Sequence, residues 1–265
     1  MKRSRSLVVF VALLVVALVP VLASAQSMEK TGWVVLTNRN APANPMAADG
    51  IAKATMQLET AKWVPGVDAQ ILPETESEKL GLGSITPNGK LLNYKEGFEG
   101  FWPFAPNWYV DDLNGATGGY VCWDDDDYKP NKGYWSAWAA NGCANGLDPQ
   151  YWYYPNNMAS WSDYWFSTAG AKSGNVSFKY WNNSEYAYDY FYWCASVDYF
   201  NWYCQYHSGS TGNKWKTGKI NLKKVPGYGS MLGYSDVYVS FGFVSDGSFV
   251  SDGPFIDEIK VLVKN

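Results

Sequence analysis

The sequence predicts an all-β chain: a two-sheet antiparallel sandwich behind an N-terminal extension. Three observations predict it. From Glu96 onward, short aromatic and β-branched runs are separated by Gly, Asn, Asp and Pro every ten residues or so. Within three of those runs the apolar residues alternate with others, as a half-buried strand requires. Beyond the first 25 residues no window sustains a 3.6-residue apolar period.

Composition agrees. The 265 residues include 12 Phe, 14 Trp and 20 Tyr, and only 17% are charged. Such a chain is not disordered, and a domain of this size buries roughly 70% of its unfolded surface. The single His cannot supply the paired His ligands of a metzincin-like or thermolysin-like centre.

The first element is a targeting segment. Lys2, Arg3 and Arg5 precede an apolar run from Leu7 to Leu22, and Ala23-Ser24-Ala25 supplies small residues for cleavage. Residues 1–25 are read as a secretory signal, cut after Ala25; the run is short for a bilayer span. No later segment is apolar enough to cross a membrane. Loss of the signal's three basic residues leaves 18 basic against 25 acidic, a net charge of −7. That balance argues against nucleic acid and anionic membrane as partners.

Residues 26–95 form the extension. Only Trp33, Trp63 and Tyr94 are aromatic there, and polar, Pro- and Gly-containing stretches dominate. Runs 33–36 and 54–58 are candidate short strands, which would make one hairpin. Residues 96–265 form the sandwich. Val176, Phe178 and Tyr180 alternate with Ser177, Lys179 and Trp181; Val237, Val239, Phe241 and Phe243 mark a second strand; Ile259, Val261 and Val263 mark a third.

Secretion turns the four cysteines into expected disulfides, with three pairings open. Residues 186–197 and 202–207 read as a hairpin around 198–201. A register centred on position 199 sets Cys194 opposite Cys204. Cys194–Cys204 with Cys122–Cys143 is therefore the favoured pairing.

Several segments together resemble a known family: Glu96-Gly-Phe-Glu99 before Trp108, Gly133-Tyr-Trp-Ser136, residues 176–185, Tyr188-Asp-Tyr190, Ser196-Val-Asp198 with Trp202, residues 239–246, and Gly253-Pro-Phe-Ile-Asp-Glu-Ile259. In this order they are similar to the MAM-like jelly-roll domain that accompanies immune inhibitor A-type secreted metallopeptidases and bacterial surface proteins. The resemblance spans about residues 96–265. It implies a jelly roll, often with a structural calcium, and non-catalytic recognition or adhesion. The turn 199–201 departs from the family's Gly-rich turn.

Two sites are expected. Asp257 shares strand parity with Ile259, and Asp189 and Glu185 share it with Phe191, so these carboxylates face inward and need partners. The resemblance selects Glu99 and Asp257 as a calcium pair, with Asp124 or Asp125 as a further ligand; calcium takes six to eight oxygens. As a site using all four acids the run 124–127 is disfavoured, since adjacent like charges repel, and it reads as a solvated loop from which one residue could still be a ligand. If Phe191, Trp193, Ala195 and Val197 face the core, then Tyr186, Tyr188, Tyr190 and Tyr192 stand on the opposite face, with Trp202 and Tyr206 beside them. Such rings stack on sugars or on a surface protein. A covering layer, from the extension or from residues 151–154, is the competing reading.

His207 could complete a hydrolase triad only with a nucleophile elbow, and no Gly-x-Ser-x-Gly is present. Asn175 and Asn182 open glycosylation sequons. The expected function is therefore secreted, non-catalytic glycan or protein recognition. Self-association into an extracellular assembly and glycoside cleavage are the rival classes.

Overall fold

The structure, a computed structural model, describes residues 29–39, 92–100 and 102–265. The signal segment, the candidate strand 54–58 and Trp63 lie outside the described residues. Twelve strands follow in chain order: β1 (Glu29–Thr37), β2 (Leu92–Glu96), β3 (Trp108–Asp112), β4 (Cys122–Asp126), β5 (Ser136–Gly142), β6 (Ala159–Phe166), β7 (Ser173–Asn183), β8 (Tyr190–Ser196), β9 (Asn201–Gly209), β10 (Lys216–Asn221), β11 (Val237–Val244) and β12 (Gly253–Lys264). No helix among the described residues is long and apolar enough to cross a membrane.

All pairings are antiparallel. The first sheet runs β1-β9-β8-β11-β6-β3 and the second β10-β7-β12-β5-β4. β12 is the centre of the second sheet. β7 pairs along one edge; β5 and then β2 share the other, with Phe255 opposite Trp138 and Ile259 opposite Glu96. This is the predicted two-sheet antiparallel sandwich. Two of its strands, β1 and β2, begin in the sequence's extension.

The three strands read from alternation are β7, β11 and β12. Val176, Phe178, Val237, Val239, Phe241, Phe243, Ile259, Val261 and Val263 are all buried between the sheets. Their rings interlock edge to face: Phe178 lies 4.8 Å from Phe241, 5.8 Å from Trp193 and 6.2 Å from Phe191. Each such side chain contributes about 2–3 kcal/mol through area removed from water, and the ring geometry adds to it.

Both disulfides form as favoured, Cys122–Cys143 and Cys194–Cys204. β8 and β9 pair in the register centred on position 199, Cys194 opposite Cys204 and Tyr192 opposite Tyr206. The hairpin's first strand is shorter than read, since residues 186–189 precede β8 in a loop. The turn is held by Asp198, whose Oδ1 accepts from the backbone N–H of Phe200 at 2.9 Å and Asn201 at 2.8 Å. The acidic run 124–127 is also corrected. Asp124 to Asp126 belong to β4 and only Asp127 is an exposed loop residue.

A second buried cluster lies on the outward face of the first sheet. It joins Leu36 of β1, Trp161 of β6, Tyr190, Tyr192 and Cys194 of β8, and Trp202 and Cys204 of β9.

Candidate functional site

The six rings expected as one exposed platform divide. The predicted sidedness holds, because Phe191, Trp193 and Ala195 face the inter-sheet core and Tyr190 and Tyr192 face outward. The predicted exposure does not hold for the strand residues. Tyr190, Tyr192 and Trp202 are at most 1% exposed, and Tyr206 is half-buried. Tyr192 stacks 5.9 Å from both Trp161 and Tyr190, and Leu36 and Arg39 bring further cover from beyond the sandwich strands. Tyr186 and Tyr188 remain exposed, because they sit in the β7–β8 loop.

Those two tyrosines belong to a larger group at one end of the sandwich. Tyr151, Trp152 and Tyr153 in the β5–β6 loop and Phe249 in the β11–β12 loop are also exposed, the set running from 40% at Tyr186 to 79% at Phe249. Residues 151–153 are thus not a covering layer. The three loops meet at the buried Tyr154. Its hydroxyl donates to Asp189 Oδ2 at 2.5 Å and accepts from the Glu185 N–H at 3.3 Å, and its own N–H donates to the Ser251 carbonyl at 3.1 Å. Ser248 Oγ lies 2.9 Å from both Glu185 Oε2 and Asp246 Oδ1, which share its one proton. The loops carrying the rings are therefore cross-tied.

Glu185, Asp189 and Asp246 bring carboxylate oxygens within 4.8 Å of one another, and among the described residues none of the three has an ion pair. Burial pushes the Asp189 carboxyl up to about 6, and the Asp246 and Glu185 charges push the same way. Such a trio could hold a divalent cation.

The expected calcium pair is elsewhere. Glu99 and Asp257 line one pocket of about 320 Å³ with Glu96, Glu258 and three lysines. Asp257 is wholly buried, but not through the parity the sequence suggested. A bulge between Asp257 and Lys260, with Glu258 at φ 50°, inserts a residue and reverses the alternation. Asp257 pairs with Lys179 on the outer face of the second sheet, while Ile256 and Ile259 point inward. The loop after β4 then buries it. Asp257 Oδ2 accepts from the N–H groups of Asn131 and Lys132 at 2.9 Å, and Oδ1 accepts from that of Glu258. Burial still holds its pKa above the ordinary value despite those donors. Glu99 Oε1 accepts from the Tyr134 and Trp135 N–H groups at 2.9 and 3.1 Å.

Asp124 and Asp125 do not line this pocket. They lie in β4, where the Asp125 N–H donates to Asp124 Oδ1 at 2.9 Å, and burial raises both pKa values, Asp125 to about 7. The expected four-residue set is thus only half assembled. Nor do Glu185 and Asp189 point inward from a strand, since both sit in the β7–β8 loop.

No family model matches the chain, and no curated protein matches it. Several solved structures do, among them three binding modules. One is TmCBM61 in complex with β-1,4-galactotriose, at 13% identity and a TM-score of 0.39, covering 61% of this chain and 90% of that one. Another is the K1 cleaved adhesin domain of Lys-gingipain from Porphyromonas gingivalis W83, at 14% identity and 0.44, covering 64% and 97%. A third is the family 11 carbohydrate-binding module from Clostridium thermocellum in complex with a β-1,3-1,4-mixed-linked tetrasaccharide, at 16% identity and 0.38, covering 65% and 94%.

Proposed function

We propose that the chain is a secreted, non-catalytic recognition module, of the MAM-like kind its motifs resemble, that binds glycan through the aromatic loop end. One observation carries this reading. Tyr151, Trp152, Tyr153, Tyr186, Tyr188 and Phe249 stay exposed on three loops that Tyr154 and Ser248 tie together. Exposed clusters of this kind mark interaction surfaces. Flat rings on a braced backbone lose little entropy on binding, and they stack on the C–H faces of sugars. The half-buried Glu185 and Asp246 at the same end offer acceptors for hydroxyls.

Trp152→Ala and Tyr188→Ala should each weaken glycan binding about tenfold, or about 1.4 kcal/mol, with the melting temperature nearly unmoved. A glycan array followed by titration calorimetry reads this. Unchanged affinity, or loss of the fold, would refute the platform.

The calcium reading stays with Glu99 and Asp257. What supports it is a wholly buried carboxylate whose pKa remains raised beside a second acid in the same pocket. Calcium at a hundred times its Kd should stabilise the protein by about 2.7 kcal/mol, and Asp257→Asn should lose that response. A melting temperature indifferent to both calcium and EGTA would end the idea.

A second reading, self-assembly, is favoured by β1. It pairs only with β9, so its other edge is unpaired among the described residues, and Trp33 and Val35 are exposed on it. Sedimentation that depends on concentration, with no glycan binding, would favour assembly.

A further inference from the structure

The outward face of the first sheet holds a constellation that the loop end does not use. At its centre is Asp163 of β6, 1% exposed. Its Oδ2 accepts from the Tyr199 hydroxyl at 2.6 Å and is ion-paired with the Arg39 guanidinium. Arg39 lies two residues beyond β1 and is itself 6% exposed. Its guanidinium stands 4.4 Å from the Trp202 ring, 4.8 Å from Tyr199 and 5.6 Å from Trp161. A cation is thus boxed by three aromatic rings over a carboxylate.

As a purely structural ion pair this arrangement is incomplete. The indole N–H groups of Trp161 and Trp202 and the hydroxyl of Tyr192 are buried and have no hydrogen-bond partner among the described residues. Each such group costs about 1–3 kcal/mol. Arg39 cannot serve the two indoles, because a guanidinium has five donors and no acceptor, and it makes no hydrogen bond to the Tyr192 hydroxyl. Two of the three unpaired donors belong to the same rings that flank it. A group that matched the whole face would bring acceptors to three donors, a donor to Asp163 and a flat apolar surface to the indoles. Sugar rings do all three, since each hydroxyl both donates and accepts and the C–H face stacks. A simple organic cation or an aliphatic chain does not.

We propose that this face is a carbohydrate subsite held shut by Arg39, which β1 carries onto it as an intramolecular plug. The inference rests on the glycan-binding reading above. β1 is fastened independently of the plug. Its ladder to β9 runs from Glu29 opposite Gly209 to Thr37 opposite Asn201, and the Asn38 N–H donates to the Phe200 carbonyl at 2.8 Å. The Arg39 side chain lies past those bonds, so it can leave without unzipping the strand. A sugar hydroxyl then takes its place on Asp163.

The test compares the full chain with Arg39→Ala on an array of neutral oligosaccharides, then by calorimetry with the best-bound one. Arg39→Gln combined with Asp163→Asn serves as a second open variant, because it leaves no buried charge unpaired should Arg39→Ala fail to fold. Opening should tighten binding at least tenfold or add oligosaccharides that the parent does not bind. Tyr192→Phe in the open background should lose several-fold of that gain while thermal stability holds or rises, since the hydroxyl it removes is unpaired. A folded open variant with the parent's affinities overturns the plug and leaves the loop-end reading intact. So does a Tyr192→Phe chain that melts earlier, because its hydroxyl would then be paired within the fold. Binding that Arg39→Ala strengthens but Trp152→Ala leaves untouched keeps the plug and removes the loop-end platform. An array blank for parent and open variants alike rejects both.

Discussion

His207, the chain's one histidine, shows how a single residue here is settled by its surroundings. Its ring is buried in β9, 5.4 Å from the Tyr180 ring. The Asn182 amide lies 3.1 Å from Nδ1, and Nε2 lies 3.3 Å from Glu29 Oε2. An amide donor at Nδ1 leaves the proton on Nε2, which donates to the carboxylate. Burial pushes the pKa below its ordinary value, and the Glu29 hydrogen bond and charge only partly offset this. The unfolded chain therefore takes up a proton near pH 6.5 that the folded chain refuses. This contribution to stability is present above about pH 6.5 and is lost as pH falls through the depressed folded value. Between pH 7.5 and pH 5.5 His207 should pull urea midpoints down while the raised carboxyls of Asp125 and Asp189 pull them up, so the parent should lose stability relative to His207→Gln as pH falls; a difference between the two that does not change with pH contradicts the assignment. The sequence excluded a paired-His metal centre, but His207's partners were not legible in it. Glu29 lies 178 residues away, and nothing local in the sequence announces such a contact. Asp257 shows the converse. Its burial was legible, but its direction was not, because one extra residue at Glu258 inverts everything upstream.

At the scale of the element, β8 and β11 show what alternation can and cannot reveal. Period two sorted Phe191 and Trp193 from Tyr190 and Tyr192 correctly, since each strand has only two faces. Whether an outward ring meets water depends on what crosses it, here Leu36 of β1 and Arg39 just beyond it, far away in sequence. The exposed loop end was half legible. Tyr186 and Tyr188 were singled out, but residues 151–153 read equally well as cover, because no local signal tells a docked loop from a braced, exposed one. Gly242 marks the other limit. It looks like a weak point in β11, but the Trp161 ring lies flat across it, and a Cβ there would run into the indole. Gly242→Ala should cost about 1–3 kcal/mol, measured by urea denaturation. A neutral substitution would mean that Trp161 can move aside freely.

Over the whole molecule, the disulfides pin the two sheets separately. Cys194–Cys204 ties β8 to β9 in the first, and Cys122–Cys143 ties β4 to the end of β5 in the second. Chain-entropy arguments value each at about 3 kcal/mol, with the longer Cys122–Cys143 loop worth about 0.6 kcal/mol more. Paired Cys→Ala variants should show that order in their denaturation free energies, and a reversed order would mean that native packing outweighs loop closure. The sandwich was legible from local periodicity and Cys194–Cys204 from hairpin register, which left Cys122–Cys143 as the remaining pair. The strand order was not, since β12 joins β2, β5 and β7 across long stretches of chain. The two aromatic clusters have an optical consequence. Indoles and phenols locked at fixed mutual angles, such as Trp161 with Tyr192 and Trp102 with Trp108, couple their electronic transitions and should give intense near-ultraviolet circular dichroism. Trp202 adjoins the Cys194–Cys204 bridge in its cluster, and disulfide sulfur quenches indole emission. The outward cluster should therefore be dim and the inter-sheet one bright, so that intrinsic fluorescence reports on each face of the first sheet without any added label.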